Sequence, residues 1–361
     1  MFKKLSISLF CLVVLAVAGS SLWVWQGLES LEQPVALSEP VLFSVPSGSG
    51  YGQVARKLEE EGLAPDSVWL KIHGRLFPEQ TRLKAGEYEF TSGMSTLDMI
   101  SMMVAGATKH WQIQFIEGWT FRDMRRALAS SDRLEKITTD WTGEKIMKAM
   151  GAEGEHPEGR FFPDTYLFTS SESDLDLLRR AFEKMEEVLA AEWESRAEKL
   201  PYDSPYEALI MASIVERETG AAHEREEVAG VFVRRLNKGM RLQTDPTVIY
   251  GMGEKYQGRI TRRDLQTRTD YNTYRIDGLP PTPIALPGEE AIHAALNPAD
   301  GDALYFVARG DGTHKFSRTL QEHQKAVREF QLNRRSDYRS SPAPVPAPGS
   351  DSRPASEANE Q

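Results

Sequence analysis

The residues best suited to acid–base chemistry lie in Glu207–Thr219, which reads Glu-Ala-Leu-Ile-Met-Ala-Ser-Ile-Val-Glu-Arg-Glu-Thr. The pattern is helical, and Gly220 stands where a helix would stop. Stepped at 100° per residue, Ala208, Met211, Ala212, Ile214 and Val215 form an apolar stripe. Glu218 falls roughly 50° from the centre of that stripe and Glu216 roughly 105° from it. Apolar neighbours desolvate a carboxylate and raise it from about 4.3 toward neutrality, the range a general acid needs. Glu218 is therefore the candidate acid, with Glu216 flanking it and pointing away from the stripe. The alternative is a frayed helix end, with Glu218 solvated or paired with Arg217 or Arg225.

Downstream loops add groups suited to sugars. Arg241–Gly251 contributes Gln243, Asp245, Thr247 and Tyr250, and a second loop contributes Tyr271, Asn272, Thr273 and Tyr274. Amide and hydroxyl side chains pair with sugar hydroxyls and N-acetyl groups, and tyrosine faces stack on sugar rings. Each of these residues also reads as a structural turn former. Asp245 is either a cap before Pro246 or the one other carboxylate that could act across a glycosidic bond. Other chemistries fit poorly. His223-Glu224 is followed by Glu227 where a zinc helix needs its second histidine, and no Gly-x-Ser-x-Gly elbow occurs. The glycines at 253 and 258 have phosphate-loop spacing, but Arg259 stands in place of the lysine. With 43 basic against 53 acidic residues and a net charge of −10, nucleic acid is not an expected partner.

These residues need a scaffold, and the pattern predicts an α+β one. Lys3 and Lys4 end a short tip, 1–4, before an almost charge-free run, 5–25, that would span roughly 30 Å as a helix, the thickness of a bilayer's hydrocarbon. Trp23 and Trp25 at its far end suit the interface, and the lysines place the N-terminus inside. Ala16-Val17-Ala18 also fits a signal-peptidase site, but the apolar run continues past it to Trp25, which favours an anchor. The sole cysteine, Cys11, lies within this run. A polar spacer is expected at 26–40. A small α+β module at 41–106 follows, with strands at 41–45 and 83–90 and helices at 54–61 and 94–104. It resembles the LysM-like module of glycan-binding envelope proteins. A larger mixed domain, 107–335, carries the candidate site. The Ser-, Pro- and Ala-rich tail, 336–361, is expected to be disordered.

Together these segments resemble the endolytic murein transglycosylase family, also called MltG or YceG-like. The resemblance is carried by Met211–Thr219, Arg241–Gly251, Tyr271–Tyr274, the proline loop Gly278–Gly288, Leu304–Val307, His314-Lys315-Phe316, His323 and Phe161–Tyr166. It runs from about Val41 to Phe330. The resemblance implies that Glu218, followed by the hydroxyl of Thr219, is the catalytic acid/base. It implies cleavage of peptidoglycan glycan strands between N-acetylmuramic acid and N-acetylglucosamine, leaving 1,6-anhydro ends, with no metal or organic cofactor. It also implies a membrane location, an outward-facing catalytic domain and peptidoglycan synthases as neighbours. The family carries glycine after the Pro-Pro pair of the proline loop, and here Thr282 stands instead. A hydrolytic muramidase and a non-catalytic glycan-binding scaffold are the alternatives.

Overall fold

A computed structural model describes residues 2–332, side chains from residue 10 onward. The tail at 336–361 lies outside the described residues. Helix α1 (Phe2–Glu29) opens the chain, and Phe10–Glu32 is the one stretch among the described residues long and apolar enough to cross a membrane. Its side chains, including Phe10, Leu15, Leu22 and Trp25, are mostly exposed.

The chain folds as two compact units. The first holds residues up to 113, with 131–137 and 166–174. Its centre is β1 (Val41–Val45), α2 (Tyr51–Glu60), α3 (Ser67–Leu76), β2 (Gly86–Phe90) and α4 (Thr96–Ala105). The two strands pair antiparallel, Val41 opposite Phe90 and Val45 opposite Gly86. Phe43, Tyr88 and Phe90 thereby point to one face and meet Leu58, Leu70, Met99 and Met103 in a closed core. Helix α3 was not anticipated. Asp66 caps it by accepting from the Val68 N–H, a signal that was present in the sequence.

The polar stretch at 26–40 sends apolar side chains into this core. Leu31 is fully buried in this core, Leu28, Val35 and Leu37 pack against it, and the Val35 N–H donates to the Met94 carbonyl at 2.8 Å. Average polarity hid four apolar anchors spaced along the segment. A further sheet joins β3 (Trp111–Gln114) to β4 (Thr165–Phe168). Residues 131–137 and 166–174 group with the first unit although they follow 107 in the chain.

The second unit comprises 114–130, 138–165 and 175 onward. Its helices are α5 (Phe121–Ser130), α6 (Gly143–Ala149), α7 (Asp174–Glu194), α8 (Pro205–Glu218), α9 (Arg225–Asn237), α10 (Asp245–Met252), α11 (Arg262–Gln266), α12 (Glu289–Leu296) and α13 (Leu320–Val327). One hairpin, β5 (Tyr305–Ala308) and β6 (His314–Ser317), sets Phe306 opposite Phe316 and Ala308 opposite His314. Helix α8 is the axis of the core. Helices α9, α10 and α12 all pack on it, and Ala208–Val215 are buried without interruption. The expected one-sided stripe is corrected: Leu209, Ile210 and Ser213 are buried as fully as the stripe itself.

Candidate active site

Local sequence fixes where α8 begins and ends. Ser204 accepts from the Glu207 N–H, Pro205 occupies the first turn, and Glu207 complements the positive end of the helix. The helix stops because Thr219 turns extended, and Gly220 is not the terminator. The Thr219 hydroxyl accepts from the Ala221 N–H at 3.0 Å. Mid-helix, the Ser213 hydroxyl donates to the Ile210 carbonyl and accepts from the Ile284 N–H, fastening the proline loop to α8.

Glu218 is the last residue of α8 and is partly exposed. Its Oε2 accepts from the Thr244 hydroxyl at 2.8 Å. Thr244 occupies the N-cap position of α10, yet its side chain makes no cap there, because the hydroxyl is turned to Glu218 instead. Burial pushes the Glu218 carboxyl up to about 7. The Thr244 bond opposes that rise, neighbouring Asp245 adds to it, and Arg235 opposes it.

Glu216 departs from expectation. Its side chain is only 7% exposed, the Gly288 N–H donates to it at 3.1 Å, and Arg225 lies 4.0 Å away. Burial raises this carboxyl too. Glu216 thus turns to Arg225 and the Gly288 N–H, while its neighbour Arg217 is exposed.

Glu218 opens onto a cavity of about 390 Å³ that is also lined by Gln243, Asp245 and Tyr274. The Tyr274 hydroxyl donates to Asp245 at 2.7 Å, and burial raises that tyrosine further above its ordinary value. Gln243 has φ 53°, a left-handed conformation unusual for a residue with a side chain. Its N–H donates to the Thr273 carbonyl at 3.2 Å. Arg235 holds the segment before it, donating to the Leu242 carbonyl at 2.6 Å and to the Leu304 carbonyl at 2.7 Å. Arg235, Tyr305, His314 and His323 complete the wall. The two histidines lie in segments that carry the family resemblance, whereas nothing in the sequence singled out Arg235. Among the described residues, no three His, Cys, Asp or Glu side chains gather as a metal would require.

A model of the YceG-like family matches residues 43–329. The chain belongs to that family. A Bacillus subtilis protein named endolytic murein transglycosylase is 30% identical over 333 residues, 88% of this chain and 91% of that protein. A Streptococcus pneumoniae protein of the same name is 26% identical, aligned over 91% of this chain and 65% of its own length. A crystal structure of a YceG-like protein from Listeria monocytogenes shares 31% identity and aligns with a TM-score of 0.51, covering 80% of this chain and 99% of that one.

In this YceG-like chain the remaining candidate residues sit elsewhere. Thr247 and Thr273 are fully buried, their hydroxyls 2.9 Å apart, and Thr273 receives the Thr244 N–H. Asn272 is 1% exposed. Its amide donates to the carbonyls of Asp264, Leu265 and Thr267, while its carbonyl accepts from the Tyr274 N–H. These three side chains are spent on the protein itself and hold the loops that present Gln243 and Tyr274. Tyr250 and Tyr271 meet edge to face, centroids 4.9 Å apart. The Tyr250 hydroxyl donates to Glu158 at 3.0 Å, and the Tyr271 hydroxyl meets that of Thr282 at 2.9 Å. Glu158, unmarked by the sequence reading, is buried and also receives the Phe121 N–H at 2.8 Å. Burial pushes it up to about 7 as well.

Asn272→Ala removes the buried amide that ties the carbonyls of Asp264, Leu265 and Thr267 to the Tyr274 N–H, and should lower stability by about 1–3 kcal/mol in urea unfolding. A variant as stable as wild type would return Asn272 to a substrate role. Glu218 yields a pH test. Its folded value, about 7, exceeds its ordinary value of 4.5. Its protonated form therefore favours folding below 4.5, and that contribution is lost as pH rises through about 7. Glu218→Gln has no such group. Relative to this variant, wild type should lose up to about 3 kcal/mol between pH 4.5 and 8. A difference that stays flat with pH would mean that Glu218 is not desolvated.

Proposed function

We propose that this chain is a membrane-anchored endolytic lytic transglycosylase. It cuts nascent peptidoglycan strands between N-acetylmuramic acid and N-acetylglucosamine, leaves 1,6-anhydro-muramic ends, and so ends strand growth beside the synthases. The names of its relatives support the reaction. The observation that carries it is a carboxyl held near 7 in a sugar-sized cavity beside amide, carboxylate and phenol groups.

Glu218 enters protonated and gives its proton to the glycosidic oxygen as the bond to C1 of the muramic acid breaks. The C6 hydroxyl oxygen then attacks C1, and the Glu218 carboxylate takes the hydroxyl proton. The residue returns to its starting state, no water is consumed, and one carboxyl group serves as acid and then base. The Thr244 hydroxyl steadies one oxygen throughout, leaving the other to the substrate. Gln243, Asp245 and Tyr274 supply the polar wall that binds the sugars. Asp245 lines the same cavity, and this favours one rival, in which it activates water and the enzyme is a hydrolase.

Residues 5–25 form the anchor in this reading. Lys3 and Lys4 hold the N-terminus in the cytoplasm, and the remainder lies in the periplasm. The module at 41–106 acts as a LysM-like glycan grip, a reading supported by its strand–helix–helix–strand order. The domain at 107–335 is catalytic.

Membrane-bound protein should retain Met1 or Phe2 at its N-terminus by mass analysis. A chain starting at Gly19 would instead mark a cleaved signal peptide.

The reaction is tested with uncrosslinked glycan strands and product masses. Wild type should give anhydro-ended fragments, and Glu218→Gln should slow cleavage by about 10²–10⁴-fold with the fold intact. Hydrated ends from wild type would identify a hydrolase. Full activity in Glu218→Gln would leave a glycan-binding scaffold.

A further inference from the structure

The short turn that follows α8, Ala222–Glu224, delivers a second acidic side chain, and the transglycosylase reading gives it no task. Glu224 is 7% exposed. Its Oε1 accepts from the His314 backbone N–H at 2.9 Å, and its Oε2 lies 2.8 Å from Nδ1 of the same histidine. Both bonds go to one residue, so Glu224 fixes the position and the rotation of the imidazole together. Phe306 confines the ring further, edge to face with centroids 5.3 Å apart. His314 lines the same cavity as Glu218. With Nδ1 committed to Glu224, Nε2 is the ring atom left for a ligand. A carboxylate that orients an imidazole whose far nitrogen meets the reactant is an arrangement used in many active sites.

We infer that His314 is a substrate-positioning residue, its Nε2 hydrogen-bonding a hydroxyl of the sugar bound beside Glu218, with Glu224 holding the ring in place. A hydroxyl both donates and accepts, so the pairing forms whichever way the ring proton lies. This rests on the transglycosylase reading and extends it, naming a second contact on the same sugar. Two polar anchors that do not share an element, Glu218 at the end of α8 and His314 on β6, fix a sugar's orientation better than one.

The test uses the full chain with Glu218→Gln, which binds strands without cutting them, and two replacements of opposite reach. His314→Asn keeps a group at the position of Nδ1 and so keeps Glu224 paired, but has nothing at the position of Nε2. His314→Gln reaches as far as Nε2 but abandons Glu224. Dissociation constants for uncrosslinked glycan strands are measured with melting temperatures. The Asn variant should melt like its parent and bind about three- to tenfold more weakly. The Gln variant should melt lower and bind close to its parent. In the active background the Asn variant should raise KM by a similar factor with kcat little changed. Asn binding like the parent would overturn the proposal. So would loss of binding that simply tracks loss of stability across the two variants. If the parent itself fails to bind glycan strands while folded, the transglycosylase reading fails and this proposal falls with it.

Discussion

The enclosure of α8 is the constraint on which the second unit depends. Leu209, Ile210, Met211, Ile214 and Val215 are all buried. Each such side chain contributes roughly 1.5–3 kcal/mol, so together they outweigh by several-fold the few kcal/mol of holding one carboxyl at the helix end out of water. The helix can therefore carry Glu218 into a desolvated position without losing the fold. The same enclosure explains Ser213. A hydroxyl in the middle of an apolar helix is costly unless satisfied, and here it is satisfied twice, once within the helix and once by the proline loop.

Around that axis one side of the cavity wall comes from the loops that carry Gln243 and Tyr274, and loops need internal fastening to hold a geometry. The Thr247 and Thr273 hydroxyls form a buried pair that grips the Thr244 backbone, and Asn272 closes the second loop on itself. Gln243 is held in a left-handed conformation between these fastenings and the guanidinium of Arg235. Such a conformation costs on the order of 1–2 kcal/mol and persists only where its surroundings over-determine it. It aims an amide into the cavity beside Glu218. Preorganisation of this kind lets a binding wall act without rearranging when a ligand arrives.

The first unit follows a different rule. Its two strands and three helices close a small core on their own, and the segment after α1 is drawn into it through Leu31, Val35 and Leu37. The chain that leaves α1 is therefore fastened to a folded module and does not trail as a flexible leash. Trp23 near the end of α1 meets Trp69 of α3 with ring centroids 4.5 Å apart, which ties the helix itself to the same module.

Much of this was written locally. Hydropathy alone marks the apolar helix, alternation marks β1 and β2, and caps such as Ser95 and Ser204 set helix starts because they act within three residues of themselves. Glu218 stood out for the same reason, since its spacing from the apolar residues is a property of one helix. What the sequence could not decide was where side chains spend their hydrogen bonds. Asn272, Thr247 and Tyr274 have similar chemistry on paper. Asn272 and Thr247 are consumed inside the loops, and Tyr274 lines the cavity, because carbonyls from other segments happen to meet the first two. Glu216 and Glu218 differ by two positions, yet the first turns to Arg225 and the Gly288 N–H and the second opens to the cavity. His314 and Glu224 are 90 residues apart and meet only through the packing of β6 against the turn after α8. Local periodicity names the elements. Tertiary contact decides which polar groups remain free to act.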